Sequence, residues 1–240
     1  MAKLIVLEGA DGAGKSTQVE LLKKYFEEKG LSFVYYHFPM YGHNQFSDII
    51  AKFLRGELGS IEEVNPYFIA TQYAMDRFMF KSELELSMQN NDVVLLDRYV
   101  YSNVAYQSAK CSFALESKAI SEWILKFEFG FLELPFPNLN IFFDVPSEVS
   151  EKRIEASREG TDRTYLNGKQ DIHEADLEFQ KRVRESYLDS MGSHPNCKIV
   201  KCAVPIGNKE DKQFFVFPPE VLLELYKPTI DYVLFNIPIK

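Results

Sequence analysis

Residues Gly9-Ala10-Asp11-Gly12-Ala13-Gly14-Lys15-Ser16 fit the spacing G-x-x-x-x-G-K-[ST]. Consecutive backbone N–H groups in such a loop converge on the oxygens of a polyphosphate. The Lys15 ammonium would neutralise the outer phosphates, and the Ser16 hydroxyl can ligate Mg²⁺. Glycine is needed where the main chain turns tightly and approaches the ligand without a Cβ in the way. A second constellation, Asp97-Arg98-Tyr99, follows the apolar run Val93 to Leu96. An acid at that point can hold a Mg²⁺ shell through water, and an adjacent arginine offers a planar fork matched to phosphate oxygens. The chemistry expected is binding of a nucleoside triphosphate.

These residues need elements that bring them together. Lys3 to Leu7 reads as a buried strand, and Ser16 to Lys29 as a helix with an apolar stripe of Val19, Leu21, Leu22, Tyr25 and Phe26. The loop between them therefore lies at a helix N-terminus, whose partial positive charge favours an anion. Further strands are predicted at 32–37, 93–97, 139–143 and 197–204. Helices are predicted at 46–54, 65–88, 115–129, 148–157 and 172–191. Alternation of strand and helix predicts an α/β fold, a doubly wound five-stranded parallel sheet with flanking helices. One domain of 1–240 is expected, with a core over 3–204, a polar lid over 153–171 and an extension over 205–240. Pro218-Pro219 should open a short helix there, with Pro228 and Pro238 interrupting the remainder of the extension.

The net charge of −8 disfavours a nucleic-acid footprint, which requires a basic face. Cys111, Cys197 and Cys202 lack metal or redox spacing and read as free thiols. No apolar run approaches the roughly 18 residues that span a bilayer, so no membrane partner and a cytoplasmic location are expected.

Beyond these local readings, the chain resembles the thymidylate kinase family. The resemblance rests on Glu8 to Gln18, Phe38-Pro39-Met40-Tyr41-Gly42, Gly56-Glu57-Leu58-Gly59, Val64-Asn65-Pro66-Tyr67 and Tyr73-Ala74-Met75-Asp76-Arg77. Its narrowest segment is Asp97-Arg98-Tyr99-Val100-Tyr101-Ser102-Asn103-Val104-Ala105-Tyr106-Gln107. It implies the nucleoside monophosphate kinase arrangement and transfer of the γ-phosphoryl of ATP, with Mg²⁺, to thymidine monophosphate. ATP would lie on Gly9 to Ser16 and Thr17, with Ser16, Asp97 and Asp11 around the metal. Arg98 would touch the acceptor phosphate, Tyr41 would reach it, and Tyr73 would stack on the base with Phe38 beside it. Arg77, Asn103 and Ser102 would read the base edge, and Tyr106 would lie beneath the sugar. The resemblance also implies a cis bond at Phe38-Pro39 and a homodimer through helices near 67–80 and 115–129.

Some family members carry an arginine in the phosphate loop where this chain has Gly12. The missing charge is expected from Arg158 and Arg163 in the lid, with Lys169 as the alternative because 164–169 resembles an insertion. Two other readings compete. One is another nucleotide or deoxynucleoside kinase of the same fold. The other is a GTPase switch, for which Asn208-Lys209-Glu210-Asp211 fits Asn-Lys-x-Asp, though no switch threonine accompanies it.

Overall fold

In the computed structural model, residues 2–156, 161–192, 194–206 and 213–238 are described, with the side chains of 155, 156 and 161–163 left aside. Five strands, β1 (Lys3–Glu8), β2 (Phe33–His37), β3 (Val93–Asp97), β4 (Leu139–Asp144) and β5 (Cys197–Lys201), form one parallel sheet in the order β2-β3-β1-β4-β5. β1 pairs with β3 from Lys3↔Val93 to Leu7↔Asp97, and with β4 from Ile5↔Leu139 to Glu8↔Phe142. The chain thus winds outward in both directions from β1. The carboxyl ends of β1 and β3 flank the crevice where open α/β sheets collect ligands.

Both sheet faces are covered, which is why the central strands β1 and β3 are near-continuous apolar runs rather than alternating. Ile5, Leu7, Val93 and Leu95 face α1 (Lys15–Glu28), together with Leu22 and Phe26. Leu4, Val6, Val94 and Leu96 face the other way, toward α3 (Pro66–Met79), α4 (Lys81–Asn90), α5 (Val100–Ser108) and α6 (Ala114–Leu125). Between β2 and α3 runs α2 (Gln45–Leu54), started by a reciprocal cap between Asn44 and Ser47. α7 (Ser147–Ala156), the short α8 (Ile172–Ala175) and α9 (Leu177–Met191) lie between β4 and β5.

Four expectations are corrected. The helix predicted over 65–88 is two helices that part at Phe80, whose ring packs edge-on against Tyr36 and Phe38 at 4.7 and 5.8 Å. The helix over 172–191 divides at Asp176, whose side chain caps α9 by accepting from the Phe179 N–H. The strand expected to reach 204 ends at Lys201, and a separate antiparallel hairpin comes next, β6 (Ala203–Ile206) and β7 (Gln213–Val216). Pro228 does not break the tail: α10 (Pro219–Phe235) runs through it. Tertiary packing overrides the local penalty, because Leu222, Tyr226 and Ile230 are buried with α1 residues. The Tyr226 hydroxyl bonds Gln18 Oε1 at 2.7 Å, and Gln18 Nε2 donates to the Pro219 carbonyl at 3.0 Å.

Candidate active site

The phosphate loop is shaped by two left-handed glycines. Gly14 (φ 88°) caps α1, and Gly12 (φ 72°) lies so close to α7 that a Cβ would come within 2.7 Å of the Ser150 carbonyl. A loop arginine at position 12 is therefore excluded by packing as well as by backbone conformation. Lys15 is folded back over the loop, its Nζ 3.2 Å from the Gly9 carbonyl and 4.0 Å from Asp97 Oδ1. Burial and the adjacent Arg98 charge pull its ammonium below its ordinary pKa, as expected of a cation held in place for an anion. Ser16 and Thr17 are exposed at the first turn of α1. On the far side, Arg153 Nη1 donates to the Gly12 and Ala13 carbonyls at 3.3 and 3.4 Å.

Arg98 stands at the joint between this loop and the rest of the cleft. It adopts φ 67° immediately after β3, a conformation that non-glycine residues take at a cost of order 1–3 kcal/mol. The turn directs its guanidinium back across β1. Nη1 donates to the Gly9 carbonyl at 3.0 Å, and Nη2 to Asp11 Oδ1 at 2.5 Å. Asp11 Oδ2 in turn accepts from the Tyr106 hydroxyl at 2.8 Å and Gln180 Nε2 at 3.1 Å. Burial works against the Asp11 carboxylate, but the charges of Arg98 and Lys15 outweigh it and hold its pKa below the usual value. Beneath them lies Glu8, fully buried, accepting from the Ser102 hydroxyl at 2.6 Å, the Tyr187 hydroxyl at 3.0 Å and the Tyr99 N–H at 3.0 Å. Burial raises the Glu8 carboxyl pKa despite those bonds.

From the loop, a cavity of about 720 Å³ extends past Arg98 toward α2 and α3. Phe38, Tyr41, Tyr73, Arg77, Ser102, Asn103 and Tyr106 all line it, as do Asp97 and the loop residues Asp11 to Thr17. The Phe38-Pro39 bond is cis, and the turn after it is held by Asp76, which accepts from the Met40 N–H at 3.0 Å and Asn44 Nδ2 at 2.6 Å. Arg77 is buried in a two-point pair with Glu128, Nε to Oε2 at 2.6 Å and Nη2 to Oε1 at 2.7 Å. Asn103 Nδ2 shares Glu128 Oε1 at 2.9 Å and also reaches the Ala70 carbonyl, which leaves Asn103 Oδ1 buried without a hydrogen-bond partner. A buried amide oxygen left open in a cavity wall suits a donor on a ligand. The Ser102 hydroxyl is turned to Glu8, Tyr187 and Arg98.

The thymidylate kinase family model matches residues 7–212, most of the chain. The chain belongs to the thymidylate kinase family. Among its relatives, the thymidylate kinase of Mycobacterium tuberculosis H37Rv is 37% identical over 186 residues, spanning 78% of this chain and 84% of that protein. The probable thymidylate kinase of Thermococcus gammatolerans is 32% identical over 207 residues, 83% and 88% of the two chains. The solved thymidylate kinase of Candida albicans superposes with a TM-score of 0.66 over 96% of this chain and 93% of its own, at 21% identity. That likeness supports the P-loop nucleoside monophosphate kinase fold. The protein is thus a nucleotide-binding kinase.

In this thymidylate kinase family member, several groups in the cleft or just behind its wall carry no motif of their own. Glu128 is 51 positions from the arginine it pairs with and lies in a π-helical turn, Lys126–Phe131. His173, buried at 2%, and Gln180 enter from α8 and α9. Asp171 lines the cavity beside them, its carboxyl pushed up to about 8 by burial and then by the charges of Asp11 and Glu174. The lid alternative Lys169 is turned outward, its Nζ 3.0 Å from Glu57 Oε1. Arg158 and the side chain of Arg163 lie outside the described residues, as do Asn208 to Asp211. Among the described residues no cluster of three or more His, Cys, Asp or Glu could by itself hold a metal, and no helix is long and apolar enough to cross a membrane.

Proposed function

We propose that the protein transfers the γ-phosphoryl group of ATP to thymidine 5′-monophosphate, giving dTDP and ADP. One observation supports this above the others. Arg98 bridges the Gly9 carbonyl of the phosphate loop and Asp11, and it lines the cavity whose walls are Tyr73, Arg77 and Asn103. A cation at that joint can offset the repulsion of two polyanions, about 1 kcal/mol per unit pair at 4 Å in water and several times more in a dry cleft. The acceptor is already an oxyanion, so the reaction asks for position and charge rather than a general base.

On this reading Gly9 to Thr17 hold the triphosphate. Asp97 Oδ1, buried and without a hydrogen bond, together with Ser16, suits the water shell of Mg²⁺, whose bound charge would neutralise the β- and γ-oxygens. Both Asp11 oxygens are engaged by protein donors, so we assign Asp11 to holding Arg98 and Tyr106 rather than to the metal. Tyr73 and Phe38 flank the base, while Asn103 Oδ1 and the remaining Arg77 nitrogen read its edge. Tyr41 and Arg98 meet the acceptor phosphate, Ser102 seats Arg98, and Tyr106 lies beneath the sugar. Arg153 guards the loop, with Arg158 and Arg163 supplying the charge that Gly12 withholds. A homodimer would cover the exposed aromatic face of α3 and α6, where Phe68 and Leu115 are 47% and 80% exposed and Trp123 stacks on Phe127.

A coupled ADP-release assay with ATP, Mg²⁺ and a panel of monophosphates tests the function. The expected order is dTMP well above UMP, CMP and AMP, with thymidine inert. Faster turnover of any other monophosphate overturns the reading.

A further inference from the structure

The insertion-like residues 164–169 are fastened at five points that the phosphoryl-transfer chemistry does not require. Tyr165 lies flat on Tyr41, ring centroids 4.0 Å apart and planes within 6°. Its hydroxyl donates to Asp171 Oδ2 at 3.2 Å, and its carbonyl accepts from Arg55 Nη1 at 2.6 Å. The next residue, Leu166, is 3% exposed among Ile50, Phe53 and Leu54 of α2 and Ile69 of α3. Lys169 closes the attachment on Glu57, which is itself forked to Arg55 at 2.9 and 3.1 Å. Among the described side chains, those of 164–169, these fastenings are to the acceptor side of the cleft.

From this we infer that Tyr165 is a positioning residue for the acceptor nucleotide, holding the Tyr41 ring in the orientation that meets the monophosphate. The inference rests on the proposed acceptor site. Tyr41 follows a tight turn, and its ring is held in the cleft by the stack on Tyr165. Stacked aromatic pairs are worth up to about 1.5 kcal/mol beyond burial, so losing the partner lets the ring turn at the expense of about tenfold in acceptor affinity. None of the five fastenings involves the phosphate loop, so donor affinity should not follow. The effect is a split between the two substrates.

The test compares steady-state constants of the full chain and three variants. Tyr165→Leu should raise KM for dTMP about five- to tenfold and leave KM for ATP within about twofold. Tyr165→Phe keeps the stack and should restore dTMP KM to within about twofold of the parent. Arg55→Met, which removes the carbonyl anchor from outside the cavity, should raise dTMP KM by less than Tyr165→Leu, again sparing ATP. An unchanged dTMP KM in Tyr165→Leu, parallel rises in both KM values, or a Phe variant as impaired as the Leu variant would each overturn the inference. If Tyr165→Leu does not fold, Arg55→Met decides by the same split: a selective rise sustains the inference, and no rise or a shared rise ends it. A parent enzyme inert toward dTMP would sink the functional reading itself, whereas an active parent with an indifferent Tyr165→Leu sinks only the role of Tyr165.

Discussion

The proposed donor and acceptor halves of the cleft are built by opposite means. The donor half is main chain: amides of a glycine loop, a helix N-terminus, and one lysine lying over its own carbonyls. The acceptor half is side chain on helices, with charge sunk into the protein in the Arg77–Glu128 and Asp76–Asn44 contacts. A main-chain site is specified by conformation and tolerates little change in backbone. A side-chain site is specified by pairing, so its weak points are the partners that never touch the ligand.

That contrast can be broken most forcefully at Glu128. Removing it leaves Arg77 buried and uncompensated, a loss of about 3–5 kcal/mol, and Glu128→Ala should lower the urea midpoint accordingly. A midpoint within experimental error of the parent would mean that the acceptor wall does not depend on pairing. On the joint between the halves, Arg98→Ala should retain the fold and lose on the order of 10²-fold in kcat, about 2.7 kcal/mol or more of transition-state stabilisation. Near-parental kcat would reduce Arg98 to a structural tie.

A third test sharpens the comparison by pH. Asp171 has its carboxyl pKa raised from 3.8 to about 8 by burial and neighbouring acids. Between those values the folded state binds more protons than the unfolded state, so this group's contribution to stability declines as pH rises through that window and levels off above it. Asp171→Asn should gain on the parent in urea unfolding as pH goes from 4 to 8. A stability difference that does not change with pH would refute the raised carboxyl.

Legibility in the sequence follows the same division. The phosphate loop is eight consecutive residues whose physics is local, so its strand, turn and helix can be read in order. The centre of the sheet is equally accessible, because β1 and β3, buried on both faces, are near-continuous apolar runs. Arg77 and Asn103 stand in recognisable segments, but Glu128, which holds both, does not: its role exists only once α3, α5 and the π-helical turn converge. The raised Asp171 carboxyl is similarly a product of burial, which no spacing announces. Pro228 misleads in the other direction, since a local rule against proline in helices gives way to the packing of α10.

That last helix has a consequence for how the protein can be cut. The family match ends at residue 212, yet Tyr226 and Ile230 beyond it are wholly buried against the outer side of α1. The inherited boundary is therefore not a folding boundary. A chain shortened at 212 would keep the nucleotide-facing residues but lay bare an oily flank on the very helix that presents the phosphate loop. It would behave as an aggregating fragment rather than a minimal enzyme.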